Sequence, residues 1–465
     1  MVGRPIRSIT CFEYDILVRD EPGQSVGGNL CAMPSAVFDW LEAEALRLTD
    51  PSRGTPNRWV RLTQRRGRRG VQMTSFVGVI QAPNGFQIEV LPKVGKAIGG
   101  GIVEARSLLI DMLRCLGPFR HLQTASARLK ATRMPLLEVF IAEFLQSVDQ
   151  VVKRGLHGGY EVHEGNLFAL RGKLQMAQHL RENLVRRDRF FTKYDEFTSN
   201  RPENRLLHAA LRVVLSASAS HANQRLAREF CFVFAEVPVS DVPARDFQQV
   251  RLDRGMTQYA GALAWARLIL ENSSPLTGMG NHHAPSLMFP MEVVFEAYVA
   301  KHLARQLAPS FTLKTQTRVF SLVKHIGQNW FRLKPDLLIT EGKKKRVVLD
   351  TKWKLIDAAK GNGTDKYGLD QGDFYQLYAY GQGYLDGEGD VVLIYPRTDT
   401  LEYALSVFDF PKSKGLRLWV LPFCLRTRRL SVPENAPFAD VLVGKRLPAS
   451  TQFETSASTK NVNAE

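Results

Sequence analysis

Along the first 120 residues, short runs of alternating apolar and polar positions are each closed by Gly, Pro or Asn. Residues 59–62, 75–80 and 86–91 are runs of this kind, the last two joined by the turn signal Ala82-Pro83-Asn84-Gly85. Period-two patterning bounded by turn residues predicts strands, here of a small β-rich domain over 1–120. The tract Arg65-Arg66-Gly67-Arg68-Arg69-Gly70 falls between two such runs and caps a predicted hairpin. It reads as a solvated tip that can also reach a phosphate or an acidic partner surface.

From about residue 121 to 285 the period lengthens to that of a helix. Leu136, Val139, Phe140, Phe144 and Val148 recur mostly at steps of three and four, predicting a helix over 135–153 that Gly155 stops. Leu206, Leu207, Ala210, Leu211, Val214 and Leu215 share one face of a second, over 204–222. Between them lie Arg171, Lys173, Arg181, Arg186, Arg187, Arg189 and Lys193, with Phe190, Phe191 and Tyr194 interleaved. Aromatics among arginines suit base stacking; a helix end packed on the core accounts for them equally well. From 286 the pattern becomes α/β: a helix over 286–306, β-like runs, a helix over about 372–385, a strand over 390–395 and further β-like segments. The region 433–465 reads as an extension, mostly disordered because its last stretch is rich in Ser, Thr and Asn.

Composition narrows this picture. A chain of 465 residues is long enough for two or three domains, and 44% hydrophobic with 23% charged residues excludes a mostly disordered one. Sixty-two Lys and Arg against 46 Asp and Glu give a formal charge of +16, which favours a polyanionic partner through counterion release. Many soluble proteins are basic without binding nucleic acid, so charge alone decides nothing. The five cysteines are scattered without a CxxC pair, against a zinc site, an iron–sulfur cluster or a disulfide framework. The N-terminus does not read as a signal peptide, and no apolar run approaches the ~20 residues needed to span a bilayer. A cytoplasmic protein without membrane contact is expected.

The segment from Leu333 to Lys354 carries the chemistry. Two β-like runs flank the polar loop Glu341-Gly342-Lys343-Lys344-Lys345, so a hairpin is predicted. With its centre at residue 343, Asp336 falls opposite Asp350, at a Cβ separation of about 4.5–5.5 Å. Lys352 points the same way, while Leu337, Ile339, Val347 and Leu349 form an apolar face opposite. Paired carboxylates repel unless a cation or proton relieves them, and a hard divalent ion, Mg²⁺ or Mn²⁺, fits oxygen ligands. A lysine beside them can hold or deprotonate a water aimed at phosphorus. An ordinary surface hairpin with an Asp–Lys pair explains the same residues.

Two flanking features favour the chemical reading. Upstream, Glu292 and Glu296 lie one turn apart on a predicted helix; downstream, Gln376 and Tyr380 do the same. The order of acidic helix, Pro335-Asp336, Asp350-Thr351-Lys352 and Gln376-x-x-x-Tyr380 resembles the PD-(D/E)xK nuclease superfamily, in the branch with a RecB-like Gln-x-x-x-Tyr element. More narrowly, Asp350-Thr351-Lys352-Trp353-Lys354, Val391-Val392-Leu393-Ile394-Tyr395-Pro396, Leu170-Arg171-Gly172-Lys173-Leu174 and Glu203-Asn204-Arg205-Leu206-Leu207 resemble the McrC family. These are the nuclease subunits of McrBC modification-dependent restriction systems. The resemblance spans roughly residues 75 to 400.

The resemblance implies a restriction-endonuclease-like domain over 286–432 and a partner-contacting role for the β-rich domain. It implies a McrB-like AAA+ GTPase as partner, double-stranded and modified DNA as substrate, stimulation of the GTPase, and Mg²⁺-dependent endonuclease activity. On its motifs, Asp336 and Asp350 would bind the metal, Glu296 would complete the shell with Glu292 as its competitor, and Lys352 would activate or position the water. Gln376 and Tyr380 would steady the site and the DNA backbone, and Lys354, Lys343, Lys344 and Lys345 would contact phosphates. Arg65–Arg69 is a further candidate for entering the ring partner. Two rivals remain: a self-sufficient nuclease, and a non-catalytic adaptor of the GTPase.

Other motifs carry less. Adjacent His282 and His283 point in divergent directions, against joint chelation, and suit a loop or N-cap. Gly99-Gly100-Gly101 is followed by no Gly-Lys-Ser/Thr, so it reads as a turn and the chain as hydrolysing no nucleotide itself.

Overall fold

Strand pairing and helix packing gather the chain into two units, 1–93 with 102–290 and 94–101 with 291–465. The computed structural model describes residues 8–21, 28–49, 59–65, 67–97, 101–116, 134–271 and 287–442.

In the first unit, the alternating runs of the N-terminal region pair into two four-stranded sheets. One contains β1 (Ser8–Phe12), β6 (Phe76–Gln81), β7 (Gln87–Leu91) and β11 (Leu287–Pro290); the other contains β2 (Ile16–Arg19), β3 (Leu30–Met33), β4 (Val60–Arg65) and β5 (Arg68–Met73). Their inward residues, among them Leu17, Val71, Met73, Ile80 and Ile88, join Phe38 and Leu41 of the helix Ser35–Thr49 in one core. The arginine-rich tract does cap a hairpin. Arg65 pairs with Arg68 across a two-residue turn in which Gly67 takes φ +77°, a conformation glycine adopts without steric cost. Arg66 lies outside the described residues.

The helical region departs from expectation at three places. The stretch expected as one helix over 204–222 is two, Pro202–Ala217 and His221–Val233. Buried Glu138 causes the break: its carboxylate accepts hydrogen bonds from Ser218 Oγ at 2.7 Å, Ala219 N at 2.6 Å and Asn223 Nδ2 at 2.8 Å. Backbone donors that would continue the first helix are taken by that acid instead. Secondly, the basic segment is mixed: the helix Met176–Asn183, which carries Arg181, lies between β9 (Lys173–Leu174) and β10 (Phe190–Thr198), and these two strands form a sheet with the preceding β8 (Gly159–Leu167). Arg171 stacks on the Tyr194 ring at 4.5 Å and Arg189 on that of Phe168 at 4.7 Å, so these aromatics already have cationic neighbours. Thirdly, the helix expected from residue 286 starts at Met291, because Leu287–Pro290 is strand β11, antiparallel to β6. Pro290 has no N–H to donate and biases the residue before it toward extended backbone. The helix Leu136–Arg154 follows its predicted span and ends at Gly155, φ +85°.

The second unit is built on a sheet in the order β12-β15-β16-β17-β19-β18, with β20 also on β19. These strands are β12 (Phe311–Thr315), β15 (Leu337–Glu341), β16 (Lys344–Thr351), β17 (Gly389–Pro396), β18 (Phe408–Asp409), β19 (Leu416–Cys424) and β20 (Arg429–Leu430). A ribbon of β13 (Ser321–His325) and β14 (Gln328–Arg332) lies outside that order. Strands β16, β17 and β19 run parallel, and the helix Gln371–Leu385 makes the crossover between the first two.

The hairpin β15–β16 has the register that places Asp336 opposite Asp350, by a route the sequence does not reveal. The turn is tighter than the predicted loop, since Glu341 already pairs with Lys344 and Gly342 takes φ +57°. A bulge at Arg346 inserts one extra residue, and beyond it Ile339 pairs with Val347 and Leu337 with Leu349. The predicted apolar face, Leu337, Ile339, Val347 and Leu349, is buried, and so are Leu338 and Val348 on the other side. There Leu377, Tyr380 and Tyr384 of the crossover helix cover the sheet. The acids therefore do not share an open polar face; they stand at the end of strands buried on both sides. Among the described residues, no helix is long and apolar enough to cross a membrane.

Candidate active site

Strand β16 carries its apolar run Val347–Val348–Leu349 into the core and closes on Asp350, 2% exposed, and Thr351. Asp336 immediately precedes β15, and its Oδ2 accepts hydrogen bonds from the Thr351 amide and hydroxyl, both at 2.8 Å. The two carboxylates are thus fixed by the backbone of neighbouring strands. Burial pushes the Asp350 carboxyl up to about 7, and the nearby Asp336 carboxylate adds to the effect against the pull of Lys352.

Lys352 is tied to β17 by its amide, which bonds Ile394 O at 2.9 Å. Its ammonium lies 2.8 Å from Asp350 Oδ2 and 3.1 Å from Asp373 Oδ1, and donates to Gln376 Oε1 at 2.9 Å. Burial works against that charge, but the two carboxylates outweigh it and hold the ammonium protonated well above the ordinary lysine range. From Gln376 the chain of contacts continues: its Nε2 donates to Tyr380 OH at 2.7 Å, which donates to Lys334 O at 2.9 Å. Gln376 and Tyr380 thereby connect Lys352 to the backbone two residues before Asp336. Burial raises the Tyr380 phenol, so this hydroxyl remains a donor.

Glu296, on the helix Met291–Leu303, stands near enough to Asp336 for the two charges to interact. Its carboxyl is raised by burial first and by Asp336 second, and it accepts from Gln316 Nε2 at 2.9 Å. Glu292 is exposed on the same helix. Gln316 is a residue the sequence gives no reason to select. It follows β12 with φ +47°, and its amide bonds Asp336 O at 2.8 Å, so one residue supports both Asp336 and Glu296.

Lys354 is exposed two residues past Lys352. Lys343 and Lys344 are exposed at the turn end of the hairpin, six positions or more from Asp350 and so roughly 20 Å away along the strand. The Lys345 ammonium sits over the Phe320 ring at 4.0 Å and that of Tyr384 at 5.5 Å. These three lysines line a separate cavity of about 570 Å³ with Asp386, Glu388 and Asp390. His282, His283, Gly99 and Gly100 fall outside the described residues.

Among the described residues, no three His, Cys, Asp or Glu side chains are gathered into a ready-formed metal cage. Asp336 and Asp350 stand near enough for their charges to interact, and so do Glu296 and Asp336. Their chemistry suits a hard divalent cation: the donors are all oxygen, the charges repel, and Asp350 has lost its water.

Residues 71–396 match a family described as "McrBC 5-methylcytosine restriction system component". No curated protein matches the chain. Among solved structures, it is similar to a chain of the refined half-complex from a tetradecameric assembly of Thermococcus gammatolerans McrB AAA+ hexamers with bound McrC. That likeness has a TM-score of 0.60 at 19% identity and covers 90% of this chain and 94% of the other, so the fold is shared along nearly the whole length. A chain of the cryo-EM structure of the Thermococcus gammatolerans McrBC complex matches at a TM-score of 0.48 and 20% identity, over 64% of this chain and 87% of that one.

Proposed function

The chain belongs to the family of McrBC 5-methylcytosine restriction system components, and from that membership we propose that it is the DNA-cutting subunit, a Mg²⁺-dependent endodeoxyribonuclease. The observation that carries the reading is the meeting of Asp336, Asp350 and Lys352 at one strand end, with Gln376 and Tyr380 linking the lysine back to the Asp336 segment. Modified double-stranded DNA is the substrate, and a McrB-like AAA+ GTPase is the partner whose activity the chain stimulates. The fold likeness to a chain from an assembly of McrB hexamers with bound McrC supports that pairing.

In this reading Asp336 and Asp350 would hold the metal, and Glu296 would complete its shell directly or through water. Mg²⁺ there supplies a Lewis acid that lowers the pKa of a bound water and offsets charge on the phosphate. Lys352 enters the reaction protonated, as a donor. Its ammonium positions the attacking water or a non-bridging phosphate oxygen and meets the negative charge that grows there. Water oxygen bonds to phosphorus as its proton passes to solvent, the bond to the leaving deoxyribose oxygen breaks, and that oxygen takes up a proton from solvent to leave as a hydroxyl. Gln376 and Tyr380 keep the lysine on the metal side of the strand, and exposed Lys354 is placed to hold the backbone. Lys343, Lys344 and Lys345 are assigned to phosphates farther along the duplex.

The test uses the purified chain with Mg²⁺ and methylated DNA, with and without the GTPase and GTP. Lys352→Ala is expected to lower the single-turnover cutting rate by roughly 100-fold or more. Cutting without the partner points to a self-sufficient nuclease, and cutting by Lys352→Ala at the native rate removes the proposed chemistry.

A further inference from the structure

We propose that Asp373 is the positioning residue for Lys352, holding the ammonium in place when Asp350 is engaged by a cation; this rests on the nuclease reading. Three acceptor oxygens surround the ammonium: it donates to Gln376 Oε1 at 2.9 Å and lies in ion-pair contact with Asp350 Oδ2 at 2.8 Å and Asp373 Oδ1 at 3.1 Å. Two of these acceptors carry charge, and they have different obligations. Asp350 is paired with Asp336 across the hairpin, so its charge is committed to whatever cation relieves that pair. Asp373 belongs to the crossover helix and faces no second carboxylate of the pair. It is the one anion in the cluster that remains for the lysine.

Without it, a dication on the aspartates would repel a flexible ammonium that only the neutral Gln376 carboxamide restrains. Asp373 is itself held. It sits in the first turn of the helix Gln371–Leu385, where a negative charge is favoured, and that turn is capped by Asp370, whose side chain accepts from Gly372 N at 2.7 Å. Its second oxygen, Oδ2, accepts from Tyr395 OH at 3.4 Å, and the Tyr395 ring is fully buried in β17. A rigid strand thus fixes the acid, and the acid fixes the lysine. Asp373 also lies one turn before Gln376, so both reach Lys352 from the same helical face.

The test needs a readout independent of cutting. Reductive methylation of the full chain at saturating Mg²⁺, followed by mass spectrometry, gives the rate at Lys352 while Asp350 is engaged, with exposed Lys354 as internal reference. Asp373→Asn is expected to raise the Lys352 rate several-fold and leave Lys354 unchanged. In the assembled, Mg²⁺-loaded system it is expected to lower kcat roughly 10–100-fold with KM for DNA unchanged, and Asp373→Glu is expected to recover part of both effects. Tyr395→Phe keeps the acid while freeing its second oxygen, and should shift Lys352 reactivity in the same direction by less. An unchanged Lys352 rate in Asp373→Asn overturns the proposal. So does a loss of Mg²⁺ affinity by titration calorimetry as large as that of Asp350→Ala, which would make Asp373 a ligand. If Lys352→Ala cuts at the native rate, the nuclease reading fails, while the methylation rates still decide whether Asp373 holds the lysine.

Discussion

At the scale of single residues, Asp350 concentrates the cost of the site. A carboxyl pushed up to about 7 binds a proton in the folded chain that it lacks when unfolded, over the window from its ordinary value near 4 up to 7. Stability therefore falls as pH rises through that window. Asp350→Asn removes the ionisation while keeping the shape. Without divalent cations it is expected to melt a few degrees above the native chain at pH 8, with a smaller difference at pH 5; equal melting at pH 8 would show that the buried charge is relieved in some other way. The same scale shows what sequence can and cannot disclose. Asp336, Asp350 and Lys352 are legible because a single hairpin brings them together, and hairpin pairing follows from spacing. Gln376 and Tyr380 are legible as a pair one turn apart, but their link to Lys334 O requires the crossover helix to lie on β16. Asp373 is written three residues before Gln376, and nothing in its spacing distinguishes it from an acid placed to favour a helix start. Gln316 acts through a left-handed backbone and a lone carboxamide, for which no pattern exists.

At the scale of elements, the site depends on how closely the crossover helix approaches the sheet. Gly381 marks the tightest contact: a Cβ built there would lie 2.4 Å from Leu416 Cδ2 and 2.7 Å from Cδ1, on a side chain only 1% exposed. Gly381→Ala is expected to lift the helix from β19 and destabilise the fold by about 1–3 kcal/mol, seen as a lower urea midpoint at pH 7; an unchanged midpoint would show that Leu416 repacks freely. Elements with a covered face are the ones sequence reveals. The helix Leu136–Arg154 and strands β6 and β7 each bury a periodic apolar set, and their predicted positions lie close to those found. The ribbon of β8 and β10 escapes notice because one face is exposed, with Tyr160 and Val162 in the open, and the other is only half-buried. No core imposes a period on it. Strand β11 is missed for a different reason: four residues cannot announce a partner more than 200 positions away in β6. The hairpin β15–β16 is a case of compensation, where a turn shorter than predicted and a bulge at Arg346 restore the expected pairing.

At the scale of the whole molecule, a basic chain of net charge +16 sets the acids of the candidate site at the end of a sheet flanked by two helices. On the proposed reading, charge of that sign would draw DNA toward the molecule, and a cation held by the acids would mediate between them and a phosphate. The predicted β-rich and helical regions fall into a single unit, which no property of the linking sequence foretells, since β11 returns from beyond the helices to complete the first sheet. On the proposed reading, cutting and GTPase stimulation are separate properties of this chain, the first residing at Asp350. That separation is tested most directly by following GTP hydrolysis and DNA scission together in the system reconstituted with partner, GTP, Mg²⁺ and methylated DNA. Asp350→Ala is expected to stimulate the GTPase as the native chain does and to make no cuts. Scission by Asp350→Ala at the native rate would contradict the account.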